Sequence, residues 1–157
     1  MVRLEKYEHR FFEALSYQLD EKQSNYTASV DYCLNTRRDL EDPQKTLITI
    51  LYHDQPVGFF ILDTGDDKYR LTENPNSVLV RSLSINPEYQ GRGIGKEAMN
   101  LASQYVKDHF DGIHELVLAV NFRNEGAYTV YMKSGFIDDG MIVDGRKGPQ
   151  HVLAKRL

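Results

Sequence analysis

The chain predicts a mixed α/β (α+β) fold, and three observations carry that expectation. An aliphatic run, Val78-Leu79-Val80-Arg81-Ser82-Leu83-Ser84-Ile85, leads through a glycine-rich turn into a helical pattern. A second run, Leu116-Val117-Leu118-Ala119-Val120, leads through an asparagine turn into another helical pattern. Outside these two units, β-branched runs separated by polar turns mark hairpins on both sides. The 157 residues fit one domain, spanning 1–157. A chain of this length buries about 70% of its unfolded surface.

Taken in order, residues 2–7 read as a first strand, and Phe11, Phe12, Leu15 and Leu19 share one side of a following helix. The polar run 20–25 breaks that pattern. Helical character resumes over 26–34, with Thr27 as N-cap and Val30, Cys33 and Leu34 as the apolar face. Residues 46–52 and 57–62 are strands joined by a loop of about four residues, His53-Asp54-Gln55-Pro56. A polar excursion over 63–76 precedes the strand 78–85, which stops at Asn86-Pro87 because proline cannot donate a ladder hydrogen bond. Ile94, Ala98, Leu101, Ala102, Tyr105 and Val106 then fall on one helical face. They predict a helix of roughly four turns, ending near His109 before Asp111-Gly112. Residues 116–120 form a short buried strand, Asn124 caps a helix starting at Glu125 or Gly126, and 136–144 pairs with 150–154 across Gly145-Arg146-Lys147-Gly148.

Between the strand and the longest helix lies Gln90-Gly91-Arg92-Gly93-Ile94-Gly95-Lys96. Its glycines reach torsions barred to other residues and carry no Cβ to keep a ligand off the amides. The free N–H groups of the first helical turn, aided by a macrodipole of roughly half a positive charge, suit a phosphate, and Arg92 and Lys96 add mobile charge there. Neither the Gly-x-x-x-x-Gly-Lys-Ser/Thr loop nor the dinucleotide fingerprint is present: Gly93 and Gly95 are followed by Ala98, with no further βαβ unit and its acidic residue.

The second unit continues as Asn121-Phe122-Arg123-Asn124-Glu125-Gly126-Ala127-Tyr128-Thr129-Val130-Tyr131-Met132-Lys133-Ser134-Gly135-Phe136. With both units in view, the chain resembles the GCN5-related N-acetyltransferase (GNAT) superfamily over roughly residues 46–143. In that family the Gln/Arg-x-x-Gly-x-Gly/Ala motif, here Gln90, Gly93 and Gly95, wraps the pyrophosphate of acetyl-coenzyme A. The second motif, here Asn124, Ala127, Tyr131, Gly135 and Phe136, holds the pantetheine arm and brings a tyrosine near the sulfur. The resemblance implies a single acetyltransferase domain whose mixed sheet, flanked by helices, has splayed central strands. It also implies acetyl-coenzyme A as cosubstrate, with no metal. The contacts it implies are Leu83, Ser84 and Ile85 from the strand, Gln90, Gly91, Arg92, Gly93, Ile94, Gly95 and Lys96 from the loop, and Asn124, Ala127, Tyr128 and Tyr131 from the second helix.

Acyl transfer needs a neutral amine, a polarised carbonyl and a protonated leaving group. An alkylamine of pKa near ~10.4 is neutral about once in 2,500 molecules at pH 7, a deficit of roughly 4.6 kcal/mol. Many family members place Glu, Asp or His on the motif strand to take that proton; here the stretch is Arg81-Ser82-Leu83-Ser84. That leaves a water relay through Ser82 or Ser84 to a carboxylate, with Glu88, Asp31 and Glu73 as candidates. By resemblance the Leu83 amide polarises the carbonyl, a contribution of about 3 to 4 kcal/mol in comparable sites. Tyr131 stands at the family's acid position.

Charge is balanced, 23 acidic against 19 basic residues, so no nucleic-acid partner is expected. Arg146, Lys147, Lys155 and Arg156 read as a solvated basic strand end. A single cysteine, Cys33, no apolar signal core and no membrane-length run point to a cytoplasmic setting without a membrane partner. The five histidines lack ligand spacing, so no metal site is expected. The expected activity is acetyl-coenzyme A-dependent N-acetylation of a small-molecule amine. Gln23 and Tyr26 give a faint similarity to bacterial polyamine acetyltransferases. The alternatives are acetylation of a protein N-terminus or lysine, with residues 21–26 shaping the acceptor pocket, and a non-catalytic acetyl-coenzyme A-binding module. A homodimer is the expected assembly.

Overall fold

The computed structural model describes residues 1–157. Seven strands run in chain order: β1 (Val2–Lys6), β2 (Lys45–Tyr52), β3 (Gln55–Asp63), β4 (Ser77–Ile85), β5 (Glu115–Asn121), β6 (Ile137–Gly145) and β7 (Gly148–Arg156). They form one sheet, β1-β2-β3-β4-β5-β7-β6, in which only β4 and β5 run parallel. The helices are α1 (Phe12–Leu15), α2 (Glu21–Ser24), α3 (Ile94–His109) and α4 (Glu125–Lys133). Further helical turns that are not α-helix stand at Tyr32–Thr36 and Asp66–Arg70. No helix is long and apolar enough to cross a membrane.

The inner strands are apolar on both sides because both faces of the sheet are covered. Ile48, Ile50, Val57, Phe60 and Leu62 face the core shared with Ile94, Ala98, Met99, Ala102 and Val106 of α3. The alternate residues Leu47, Leu51, Phe59 and Ile61 pack instead with Phe11, Leu15, Val30 and Cys33 of the N-terminal segment. A third cluster, Leu71, Leu79, Val117 and Val152, lies after the Asp66–Arg70 turn. Tyr131 and Phe136 close the α4 end of the first core, their rings 5.6 Å apart and edge to face.

The central elements lie where the pattern placed them, and the peripheral ones differ for local reasons. The first helix stops at Leu15, where the Ser16 hydroxyl bonds back to the Phe12 carbonyl at 2.7 Å. The run expected to break helix instead starts one: Asp20 accepts from the Gln23 amide at 2.7 Å and caps α2. Ser29, not Thr27, caps the next helical segment, accepting from the Tyr32 amide at 3.1 Å. Both hairpin turns are two residues long, not four. His53 and Asp54 take φ of +48° and +66°, a type I′ pair, so Gln55 and Pro56 belong to β3, with Pro56 beside a bulge that tolerates its missing donor. Leu101 is 37% exposed, and Met99 is buried in its stead. Arg146 and Lys147 form the β6–β7 turn, while Lys155 and Arg156 lie at the far end of β7, roughly 26 Å away at strand rise. The four cations are not one patch.

Candidate active site

The site begins with a failure of strand pairing. β4 and β5 pair only over Ser77–Leu79 and Glu115–Val117, and beyond that they part. On its other side β4 meets β3 through a bulge: Phe59 pairs with Ser84 and Ile61 with Arg81, so Ser82 and Leu83 together oppose Phe60. Leu83 therefore has no ladder partner on either side. Ser82 adopts φ +60°, a left-handed conformation costing a non-glycine residue about 1–2 kcal/mol. The Arg37 guanidinium donates to the Ser82 hydroxyl at 3.0 Å, and charge-assisted bonds of this kind contribute about 1.5–3 kcal/mol. Gly58 on β3 is also required here, because a Cβ on it would run into the Ser84 carbonyl oxygen.

One cavity, of about 550 Å³, opens along the glycine loop. Its walls include Leu83, Ser84, Ile85, Gln90, Gly91, Gly93, Ile94, Gly95, Lys96, Asn124 and Ala127. Gly91 and Gly93 have φ of +80° and +78°, and a Cβ on either would enter space with no protein atom within 4 Å. Gly93 is the N-cap of α3 and offers no side-chain acceptor, so the first amides of this 16-residue helix are left for another partner. A backbone cradle with Lys96 beside it fits a phosphorylated group such as the pyrophosphate of coenzyme A. Gly95 serves a different end: its Cβ would lie 3.3 Å from Val130, so its smallness lets α3 pack on α4.

Three residues expected at this cavity stand elsewhere. Arg92 lies over the Tyr89 ring and donates to the Glu88 carbonyl at 3.3 Å. Tyr128 donates to Asp138 at 2.8 Å and packs against His151, outside the cavity walls. Hydrogen bonds from the Gly140 amide and from Tyr128 hold the Asp138 carboxyl below its ordinary range. Tyr131 faces the second chamber. Gln90 does line the cavity, but its amide is already engaged, donating to the Ile85 carbonyl at 2.9 Å and exchanging bonds of 2.9 and 3.1 Å with Gln23. That pair ties α2 to the glycine loop, so Gln23 belongs to this end and not to the acceptor side.

The second chamber, of about 760 Å³, lies between β4 and β5 and extends under the Asp66–Arg70 turn and the β6–β7 turn. Thr27, Leu83, Asn124 and Ala127 line both spaces, so the two adjoin at the bulge. Thr27 donates to the Leu83 carbonyl at 3.3 Å. Asn124 caps α4 through a long 3.5 Å bond from the Ala127 amide. Tyr131 is buried, no protein group bonds its hydroxyl, and burial drives its pKa well above the ordinary tyrosine value. It remains protonated across the working range of pH.

None of the three carboxylates expected as proton acceptors lines either space; Asp31, for instance, is bonded to Asn35 at 2.8 Å. The carboxylates that do line the chamber are Asp66, Asp67 and Asp144. Asp67 is held by Arg81 at 2.9 Å, and Arg81 also binds the buried Asp63 at 3.0 Å. Asp66 and Asp144 carry no ion pair. Nor do Arg70, Arg146 and Lys147; the Arg70 guanidinium is oriented by the Gln150 side-chain oxygen at 3.1 Å and the Asp144 carbonyl at 3.5 Å. These residues come from the stretch read as a polar excursion and from a hairpin turn, where local pattern carries no sign of a shared wall. Ser84 is buried and shares a 2.7 Å hydrogen bond with Tyr17, whose hydroxyl pKa is raised by burial.

The model of the family described as Acetyltransferase (GNAT) family matches residues 5–136. The uncharacterized N-acetyltransferase YbbJ of Bacillus subtilis is 34% identical over 142 residues, covering 90% of this chain and 88% of that protein. Spermidine N(1)-acetyltransferase of Escherichia coli is 32% identical over 114 residues, 66% of this chain and 61% of its own length. Among solved structures, the aminoglycoside acetyltransferase AAC(6')-Ib, in complex with paromomycin and acetyl-coenzyme A, has a TM-score of 0.80 at 16% identity. That match covers 99% of this chain and 93% of the other, and the likeness is one of fold.

Proposed function

Since the chain belongs to the GNAT family of acetyltransferases, we propose that it transfers the acetyl group of acetyl-coenzyme A to the primary amine of a small molecule seated in the 760 Å³ chamber. The observation that carries this reading is the wall that the glycine-loop cavity and that chamber share at Leu83, Thr27, Asn124 and Ala127. Acetyl-coenzyme A supplies an activated acyl group and a thiol leaving group. The chain's residues do the rest. Backbone amides at Gly91, Gly93 and Gly95, with Lys96, hold the phosphates, and the strand segment Leu83, Ser84 and Ile85 runs alongside the arm with Asn124 and Ala127 opposite. The Leu83 amide, left without a ladder partner by the bulge, meets the negative charge that develops on the carbonyl oxygen. Tyr131 donates its proton toward the departing sulfur. The acceptor amine gives up its proton to water held by the free carboxylates Asp66 and Asp144.

Two acceptor classes follow from different observations. A polyamine is supported by the spermidine N(1)-acetyltransferase relative. An amine that also bears a carboxylate or phosphate is supported by the chamber itself, where Arg70, Arg146 and Lys147 carry no ion pair. Thiol release measured with acetyl-coenzyme A against polyamines, amino-acid-like amines and lysine peptides separates the classes. Turnover on a free amine supports the reading; activity confined to peptides overturns the small-molecule acceptor, and no activity with any amine overturns the transfer itself. The homodimer reading rests on Ile137, Met141 and Ile142, which are exposed on the edge strand β6, and is checked by the mass in solution.

A further inference from the structure

The bulge at Ser82 and Leu83 is held by charge from beneath. Asp39 is 1% exposed and sits in a cage: the Arg37 Nε lies 2.9 Å from both of its oxygens, and the Lys45 Nζ lies 3.0 Å from Oδ1. Nη2 of Arg37 also lies 2.8 Å from Asp39 Oδ2, and it turns to β4 as well, donating to the Ser82 hydroxyl at 3.0 Å and the Cys33 sulfur at 3.3 Å. Arg37 itself lines neither cavity. Ser82 is thus a serine in a glycine-like conformation whose hydroxyl is anchored by a guanidinium fixed from behind by a buried carboxylate. On the opposite strand, Gly58 has no Cβ to meet the Ser84 carbonyl oxygen and so lets the bulged β4 lie close to β3.

We propose that Arg37, locked by Asp39, is a positioning residue for acyl transfer: it holds Ser82 in the left-handed conformation and thereby presents the Leu83 amide to the reacting carbonyl. This rests on the site assigned under the proposed function, and it predicts an effect on turnover separable from cofactor binding. Displacement of a positioned donor by about an ångström costs up to about 100-fold in rate. Glycine takes the same torsion without strain, so it removes the need for the anchor.

The test compares single-turnover acetyl transfer and coenzyme A affinity in wild type, Arg37→Met, Ser82→Gly and the double variant. Arg37→Met is expected to slow transfer by about 10- to 100-fold with coenzyme A Kd unchanged. In the Ser82→Gly background the same substitution should slow it by less than about 3-fold. Ser82→Ala keeps the ion cage but loses the anchor, and its loss should resemble that of Arg37→Met even where that variant folds poorly. An equal loss from Arg37→Met in both backgrounds, or full rate in Ser82→Ala, overturns the proposal. If wild type transfers no acetyl group, the proposed function fails instead. The inference is then read from amide hydrogen exchange over residues 82–84: faster exchange in Arg37→Met supports it, and unchanged exchange overturns it.

Discussion

The two ends of the groove are built from different materials. The glycine-loop end is largely backbone: open amides at a helix start and two glycines at positive φ with Lys96 beside them, all within residues 91–96, and Lys133 of α4 also on the wall. The chamber end is side chain, assembled from residues 25–27, 66–71, 79–83, 119–131 and 144–150. Backbone recognition reads a phosphate in any molecule that carries one, whereas a wall of side chains from five segments is free to change with the acceptor.

pH acts on the chamber end and spares the glycine-loop end. Only the neutral amine reacts, no histidine lines either space, and burial keeps Tyr131 protonated, so neither a histidine plateau nor an alkaline fall is expected below pH 9. Single-turnover rate at subsaturating acceptor should climb about tenfold per unit, roughly a thousandfold from pH 6 to 9, while coenzyme A affinity changes little. A plateau near neutrality would mean that a tuned base acts at the chamber end.

Gly93→Val attacks the backbone end alone. The new side chain enters the cradle and forces a β-branched residue to φ +78°. Coenzyme A should bind several hundred-fold more weakly, about 3.5 kcal/mol, and its thermal stabilisation of the protein should vanish. Melting of the ligand-free chain should fall only by the left-handed cost of about 1–2 kcal/mol. A retained ligand-induced shift would show that the phosphates bind elsewhere.

How far the sequence reached follows the same division. The helix after the glycines was legible at both ends because its cap, its apolar face and its stop are local signals; Ile94–His109 is where the pattern put it. The chamber was not legible. Arg70 lies 74 positions before Asp144 and the β6–β7 turn that carries Lys147, and only the β5–β7 pairing and the Asp66–Arg70 turn bring them to one wall. Ser82 was visible only as a strand residue, since a left-handed torsion held by a guanidinium 45 positions away leaves no local trace. Gln90 was legible in position but not in use, its amide being engaged by Gln23 across 67 residues.

Tyr131→Phe sharpens the junction of the two ends. It removes one hydroxyl and keeps the edge-to-face contact with Phe136, so the fold and coenzyme A Kd should hold while kcat falls about 100-fold. Full single-turnover rate would return Tyr131 to a packing role. The smallest effect belongs to the chamber rim. Arg70→Ala should raise KM for an acceptor bearing an anionic group by about 10-fold, leaving coenzyme A Kd unchanged. Lower KM for a polyamine in the same variant would favour the cationic acceptor.

Whether the two adjoining spaces work as one site meeting at Leu83 is decided by a crystal structure with coenzyme A. Phosphates are expected on the Gly91, Gly93 and Lys96 segment and the sulfur at the bulge, within about 4 Å of the Leu83 amide and the Tyr131 hydroxyl. Phosphates bound away from the glycine loop, or a sulfur on the far side of β4 from Tyr131, would contradict the single site.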